Sequence, residues 1–188
     1  DLVMNPVGER HILQNKIEFF AAFAPFIKHA MCRIVDIELN NEAAQKVLQN
    51  ASGKIAIKDA LGQCGWDVEI VKTTEMSTDE LLSYMEKKGF NMAEEFIVQH
   101  PDLSRLSAAG NIAAPIDPTT GQIIAPGAYQ DFTITPEDVH PVTGVPLVGY
   151  QVPFWSEVLE LCQSAALSNT NNKSIGWDVA ITKNGPSL

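Results

Sequence analysis

No apolar run in this chain approaches the roughly 18 residues that a membrane helix needs. The nearest, residues 19–27, is short and flanked by Glu18 and Lys28. Cysteine is scarce as well: Cys32, Cys64 and Cys162 are odd in number and far apart. Such a set suggests neither a disulfide framework nor a zinc site, and it fits a reducing, cytoplasmic compartment. Basic residues are outnumbered 13 to 23, giving a net charge of −10. That balance argues against a nucleic-acid groove or an anionic membrane surface as partner. It leaves room for a nucleotide, whose phosphates need only a few local cations. Histidines His11, His29, His100 and His140 are scattered, with no His-x-x-x-His or His-Glu pair, and no Gly-x-Ser-x-Gly elbow occurs. Zinc hydrolysis and covalent catalysis are therefore poor readings. No signal-peptide pattern is visible from Asp1 onward, and a start without methionine leaves room for residues before it.

What remains is a globular chain of 188 residues, 45% hydrophobic and 19% charged, sized for one domain or two small lobes. Its most organised stretch is residues 53–71, a strand, a loop with Gly62 and Gly65, and a second strand. Ile55 and Ile57 alternate with Lys54, Ala56 and Lys58; Val68 and Ile70 alternate with Asp67, Glu69 and Val71. A lysine at a strand end before a glycine loop can hold phosphate, because the ammonium brings charge and glycine lets backbone N–H groups approach. The loop lacks both the Gly-Lys-Ser/Thr ending of a P-loop and the G-x-G-x-x-G of a dinucleotide fold. An ordinary glycine-turned hairpin with a solvated lysine fits the same residues.

Elsewhere the pattern predicts a helix over residues 14–31, kinked or ended early by Pro25, whose phenylalanines are core. A strand is expected over 33–39 and a helix over 41–50, capped by Asn40 or Asn41. Ser77-Thr78-Asp79-Glu80 is a capping box for a helix that Gly89 closes. Residues 90–98 read as a buried strand in which Glu94 and Glu95 face opposite sides. Residues 101–148 are proline-rich, with turns at Asp117-Pro118-Thr119-Thr120-Gly121, between strands 112–116 and 122–125, and at His140-Pro141-Val142-Thr143-Gly144. Pro153 then starts a helix with Trp155, Val158, Leu159, Leu161 and Cys162 on its apolar side. A last strand is expected over 175–181, and Lys183-Asn184-Gly185 is read as a hairpin turn whose second strand lies beyond Leu188. The class is α+β, with mixed and antiparallel pairings in two lobes around a cleft.

The residues left for chemistry suit phosphate. Lys16, Lys54 and Lys58 can supply cations, Gly62 and Gly65 backbone approach, and Glu94, Glu95 and Asp178 hard oxygen ligands for ribose hydroxyls or Mg²⁺. Asp178 stands out as a lone carboxylate within an apolar strand, where a buried acid needs a charge partner or a metal. On the alternating pattern it can equally sit on the solvated face.

Four pieces, in order, resemble the sugar-transfer-associated ATP-grasp family, related to α-L-glutamate-ligase-like proteins. They are Asn15-Lys16-Ile17 before an aromatic helix; Lys58 with Gly62-Gln63-x-Gly65; Ala93 through Pro101; and His140-Pro141-x-Thr143-Gly144 through Pro153-x-Trp155 to the segment 174–182. The resemblance implies a two-lobed ATP-grasp fold with a nucleotide cleft. Its segments would be an N-terminal helical stretch (1–50), a small ATP-binding lobe (51–100) and a C-terminal lobe (101–188) cut short. It further implies that Lys58 contacts the phosphates with help from Lys16, and that Gly62, Gln63 and Gly65 form a mobile cover. Glu94, Glu95, Phe96 and Ile97 would make a hinge that reads adenine and ribose, and Asp178 would be the first Mg²⁺ ligand. The reaction implied is ATP- and Mg²⁺-dependent joining of a small-molecule carboxylate to an amine through an acylphosphate, in polysaccharide or small-molecule biosynthesis. Two family features are expected outside this sequence: a Glu-x-Asn metal pair after Leu188, and an arginine-bearing strand where Ser107-Ala108-Ala109-Gly110 stands. A non-catalytic nucleotide-binding or scaffold domain is therefore the alternative.

Overall fold

The computed structural model describes residues 4–62, 68–96, 112–129, 131 and 133–188. In chain order the elements are α1 (His11–Gln14), α2 (Lys16–Phe23), β1 (Met31–Arg33), α3 (Ile34–Glu38), α4 (Glu42–Leu48), β2 (Lys54–Lys58), β3 (Val68–Lys72), α5 (Thr78–Lys88) and β4 (Met92–Glu95). Then come β5 (Ile112–Ala113), β6 (Ala128–Tyr129), α6 (Trp155–Ser168), β7 (Ala180–Thr182) and β8 (Gly185–Ser187). The class is α+β with antiparallel sheets. The chain folds into two units, one from residues in 1–104, 165–177 and 188, the other from 105–164 and 178–187.

The first unit is built on a four-stranded antiparallel sheet in the order β1-β4-β2-β3. Its register places Met31, Glu94, Ala56 and Ile70 side by side across the four strands, and next to them Arg33, Met92, Lys58 and Val68. Because side chains alternate between faces, Cys32, Ala93 and Ile57 point the other way, as do Ile55 and Val71. This second face carries the core. Cys32, Ile55, Ile57 and Ala93 pack with Ile37 of α3, Ala44 and Val47 of α4, Leu81 and Met85 of α5, and Phe90. Burying the isoleucine, valine, leucine, methionine and phenylalanine side chains among them stabilises by about 1.5–3 kcal/mol each.

β3 reverses the expected facing. Val71 packs on the core side, and Glu69 on the same face accepts from Tyr84 at 2.5 Å and Lys88 at 2.9 Å of α5. Val68 and Ile70 are left 37% exposed on the opposite face. Polarity alone misassigns this strand because its glutamate is held by α5 rather than by water.

Residues 33–39 form no strand. β1 stops at Arg33, and Asp36 caps the helix that follows by accepting the Arg33 N–H at 2.8 Å. The Arg33 guanidinium also donates to both oxygens of Asp36 and the Asn41 amide to one, so apolar alternation yields to a local polar network. Arg33 thereby holds the buried Asp36 carboxyl down to about 2, against the burial that would raise it. A depressed carboxylate stabilises the fold fully above its unfolded pKa and loses that contribution as pH falls through the folded one. Asp36→Asn should therefore cost about 2 kcal/mol at neutral pH, with the deficit shrinking between about pH 4 and pH 2. Denaturant midpoints of the two proteins across that window measure it; a pH-independent deficit would refute the linkage.

Other local expectations hold. Asn41 caps α4, accepting from the Ala44 N–H at 3.1 Å. Ser77 and Glu80 close the capping box of α5, and Gly89 ends that helix with φ +76. α2 begins at Asn15, whose side chain accepts from Ile17 and Glu18, and a 3-10 turn through Pro25 follows it. Phe23 is fully buried and packs against Trp177 and Phe19, their ring centroids 5.2 and 4.7 Å away. Residues 165–177 thus rejoin the N-terminal helices, and the Asn172 amide donates to Glu9 O.

In the second unit the turns appear as expected. Asp117 Oδ1 accepts from the Thr119 N–H at 2.8 Å and Gly121 N donates to Asp117 O at 2.8 Å. His140 Nδ1 accepts from the Val142 and Thr143 N–H groups. The flanking strands are shorter than expected. β5 pairs with β6, while Ile116 and Ile123 make a single bridge across the first turn. The α6 helix starts at Trp155, after Phe154 with φ +58, so Pro153 lies ahead of the helix rather than in its first turn. At the C-terminal end, only Ala180–Thr182 is strand, and it pairs with Gly185–Ser187 across Lys183 and Asn184. The hairpin therefore closes within the sequence, which corrects the expectation that its second strand lies beyond Leu188.

Candidate functional site

The site is assembled where β2 and β4 run side by side. Lys58 ends β2, and Asn91 just before β4 holds that end in place. Its N–H donates to Lys58 O at 3.1 Å, its Oδ1 accepts from Ala60 N at 2.8 Å, and its Nδ2 donates to Asp59 Oδ1 at 2.8 Å. Lys58 and Glu94 lie on the same face of neighbouring strands. The Lys58 ammonium donates to Glu94 Oε1 at 2.5 Å. On its other side Glu94 meets His29, whose Nε2 lies 3.7 Å from Oε2. The side chains of Lys58, Glu94 and His29 are 13%, 17% and 11% exposed, so the charges sit largely out of water. Burial pushes the Glu94 carboxyl up, but His29 and the charge of Lys58 beside it outweigh this and hold it below the usual carboxylate range. Phe20 of α2 meets the His29 ring edge-on with centroids 4.9 Å apart, and His29 Nδ1 is buried without a hydrogen-bond partner.

Lys16 approaches from α2. Its backbone N–H donates to Ala60 O at 2.9 Å, and its ammonium donates to the carbonyls of Asp59, Ala60 and Gly62. Lys16, Lys58 and Gly62 are thus gathered at one end of β2. Glu95, on the opposite face from Glu94, turns to the Ala30 N–H at 3.4 Å. Phe96 donates its N–H to Lys54 O at 3.3 Å, and the Lys54 ammonium lies 5.9 Å from the Phe96 ring. Gln63, Gly65 and Ile97 lie outside the described residues, as do Leu106 to Asn111.

Asp178 is placed differently from its expectation. It is exposed, lies ahead of β7 rather than inside a strand, and belongs to the second unit. The argument that a buried strand carboxylate requires a partner therefore does not apply to it; the solvated alternative is the one observed. Among the described residues no three His, Cys, Asp or Glu side chains come together as a metal site. The end of β2 instead holds two ammonium groups, Lys58 on Glu94 and Lys16 on the carbonyls of Asp59, Ala60 and Gly62.

His29 is the residue that sequence reasoning missed. It has no motif spacing, and only the pairing of β1 with β4 brings the loop before Met31 against Glu94.

Comparison with known proteins adds one finding. Residues 99–188, just under half of the chain, match the model of the sugar-transfer associated ATP-grasp family. The resemblance read from the sequence is thereby shown over this segment, which contains the His140 turn, α6 and Asp178. Lys16, Lys58, Gly62 and Glu94 precede it. No curated protein and no solved structure matches the chain significantly. Among the described residues, no helix is long and apolar enough to cross a membrane.

Proposed function

We propose that the chain binds ATP at the Lys58 end of β2 and serves an ATP-dependent ligase of ATP-grasp type. The family match supports ATP-dependent, ligase-like chemistry. The observation that carries the site is Lys58 itself, a shielded ammonium on a strand end, with the Lys16 ammonium and Gly62 beside it. Lysine at such a place holds phosphate as a point charge. In this reading Lys58 and Lys16 take the triphosphate, and the residues after Glu94 take adenine and ribose. ATP supplies the phosphoryl group that activates a carboxylate for attack by an amine. What these residues contribute is positioning and charge neutralisation, which accounts for the lack of a nucleophile or base in the sequence. The acid and amine would be small molecules, in polysaccharide or other biosynthesis, and the work would be cytoplasmic.

Lys58→Ala should weaken nucleotide binding at least tenfold, about 1.4 kcal/mol, because a charge-assisted contact is lost. Calorimetric titration with ATP and Mg²⁺ measures this; an unchanged Kd would remove Lys58 from the site. The exposed position of Asp178, with no metal cluster among the described residues, favours a second reading, a nucleotide-binding domain without turnover. Phosphate release over candidate acid–amine pairs separates the two, since only the ligase yields it in step with product.

A further inference from the structure

Glu94 has two basic neighbours, and only one is a candidate to leave. Lys58 would turn to phosphate when nucleotide binds; His29, set between Glu94 and Phe20, would stay. The other charged groups nearby have their own engagements. From β1, Arg33 is on Asp36. Asp59, just past β2, accepts from Asn91, and Lys54 at the other end of β2 lies over Phe96. On β3, Lys72 is on Glu75 and Glu69 is on Lys88. Glu95 of β4 turns to the Ala30 N–H on the opposite face. Of the α2 charges, Lys16 donates to the carbonyls of Asp59, Ala60 and Gly62, and Glu18 is on His11. Lys28 is exposed next to His29.

We infer that nucleotide binding at Lys58 is coupled to the uptake of one proton by His29, which replaces the lysine charge beside Glu94. The inference rests on the proposed nucleotide site. A carboxylate 17% exposed cannot lose its ammonium without cost. A proton from solvent can neutralise it on either group, and imidazole holds a proton far more readily than a carboxylate does. The ring is set up for it. Nε2 faces a carboxylate and so carries hydrogen, leaving the lone pair on Nδ1, the atom with no partner. The incoming proton forms an N–H bond there, the ring becomes imidazolium, and the buffer acid that donated the proton becomes its base.

The test is calorimetric titration of the wild-type chain with magnesium AMP-PNP at about pH 7.5 in buffers of different ionisation enthalpy. Uptake of about 0.5–1 proton per nucleotide is expected in the wild type, falling in His29→Gln together with a weaker affinity, because Glu94 then lacks the group that takes over the lysine charge. The difference between the two proteins removes any proton that belongs to the nucleotide. Should His29→Gln fail to fold, NMR of the wild-type ring reports the same event, as a shift of His29 from neutral to imidazolium on saturation. Binding with equal proton counts in both proteins, or a ring that stays neutral when saturated, overturns the inference and leaves the nucleotide site standing. No binding to the wild type overturns both.

Discussion

Gly121→Ala should destabilise the protein by about 3 kcal/mol, one of the two largest effects expected of any single change described here. Gly121 closes the turn that begins at Asp117, with φ +76, a region in which an L side chain is strained. A Cβ built there would fall 2.3 Å from Cγ and 2.6 Å from Cβ of Trp155. Those atoms are at the root of the indole, so no rotation of a flexible tip relieves the overlap. The indole is held in turn: its Nε1 donates to Pro118 O at 3.0 Å. Gly121 O also accepts from Val152 at 3.0 Å, which ties the approach to α6 to the same turn. Gly149→Ala is the control. Gly149 has φ +85 but nothing within 4 Å of a built Cβ, so only the backbone strain of about 1–2 kcal/mol applies. Thermal unfolding should show Gly121→Ala several degrees below Gly149→Ala, at about 2–4 °C per kcal/mol for a chain of this size. Equal midpoints would mean that Trp155 does not cover the turn.

That pair of residues shows how much could be read before any coordinates. The turn at Asp117–Gly121 and the apolar helix at Trp155 are each legible from local chemistry, Asx-type capping in one case and spacing in the other. Their contact is not, because nothing local says which turn a distant indole will cover. The same division runs through the first unit. Caps at Asn41 and Ser77, the glycine end of α5 and the strands at 54–58 and 68–72 follow from residues near in sequence. The errors are of two kinds. Residues 33–39 alternate well enough for a strand, yet Asp36 and Arg33 offer the backbone a helix start that alternation does not register. In β3, Glu69 turns inward because Tyr84 and Lys88 of α5 wait there, a tertiary fact that overrides polarity. The site divides likewise. The strand positions of Lys58 and Glu94 and the opposite facing of Glu95 were legible. The place of His29 beside Glu94 was not, and Asp178 was read into a strand that starts only at Ala180.

Glu94→Ala should be the other severe change, costing about 3–5 kcal/mol, because it strands charge rather than removing a mere contact. Lys58 is 13% exposed and its ammonium has Glu94 Oε1 at 2.5 Å. Removing the carboxylate leaves that ammonium without its acceptor in a shielded place. Replacing both members of the pair, Lys58→Met with Glu94→Leu, should recover most of the loss, since a buried ion pair exchanged for apolar residues of similar size is often neutral. The contrast between single and double change in denaturant midpoint is the measurement. Equal losses in the two would show that Glu94 acts through packing rather than charge. The pH dependence gives a second check. Glu94 is held below the usual carboxylate range, so its contribution is present above about pH 4.3 and is lost as pH falls through its folded value. Below that point the wild type also has a neutral Glu94 beside an unpaired ammonium, and the gap to Glu94→Ala should close. A gap that persists unchanged into acid would sink the electrostatic account. At the proposed nucleotide site, a phosphate that drew Lys58 away would leave Glu94 with a charge to be met from elsewhere.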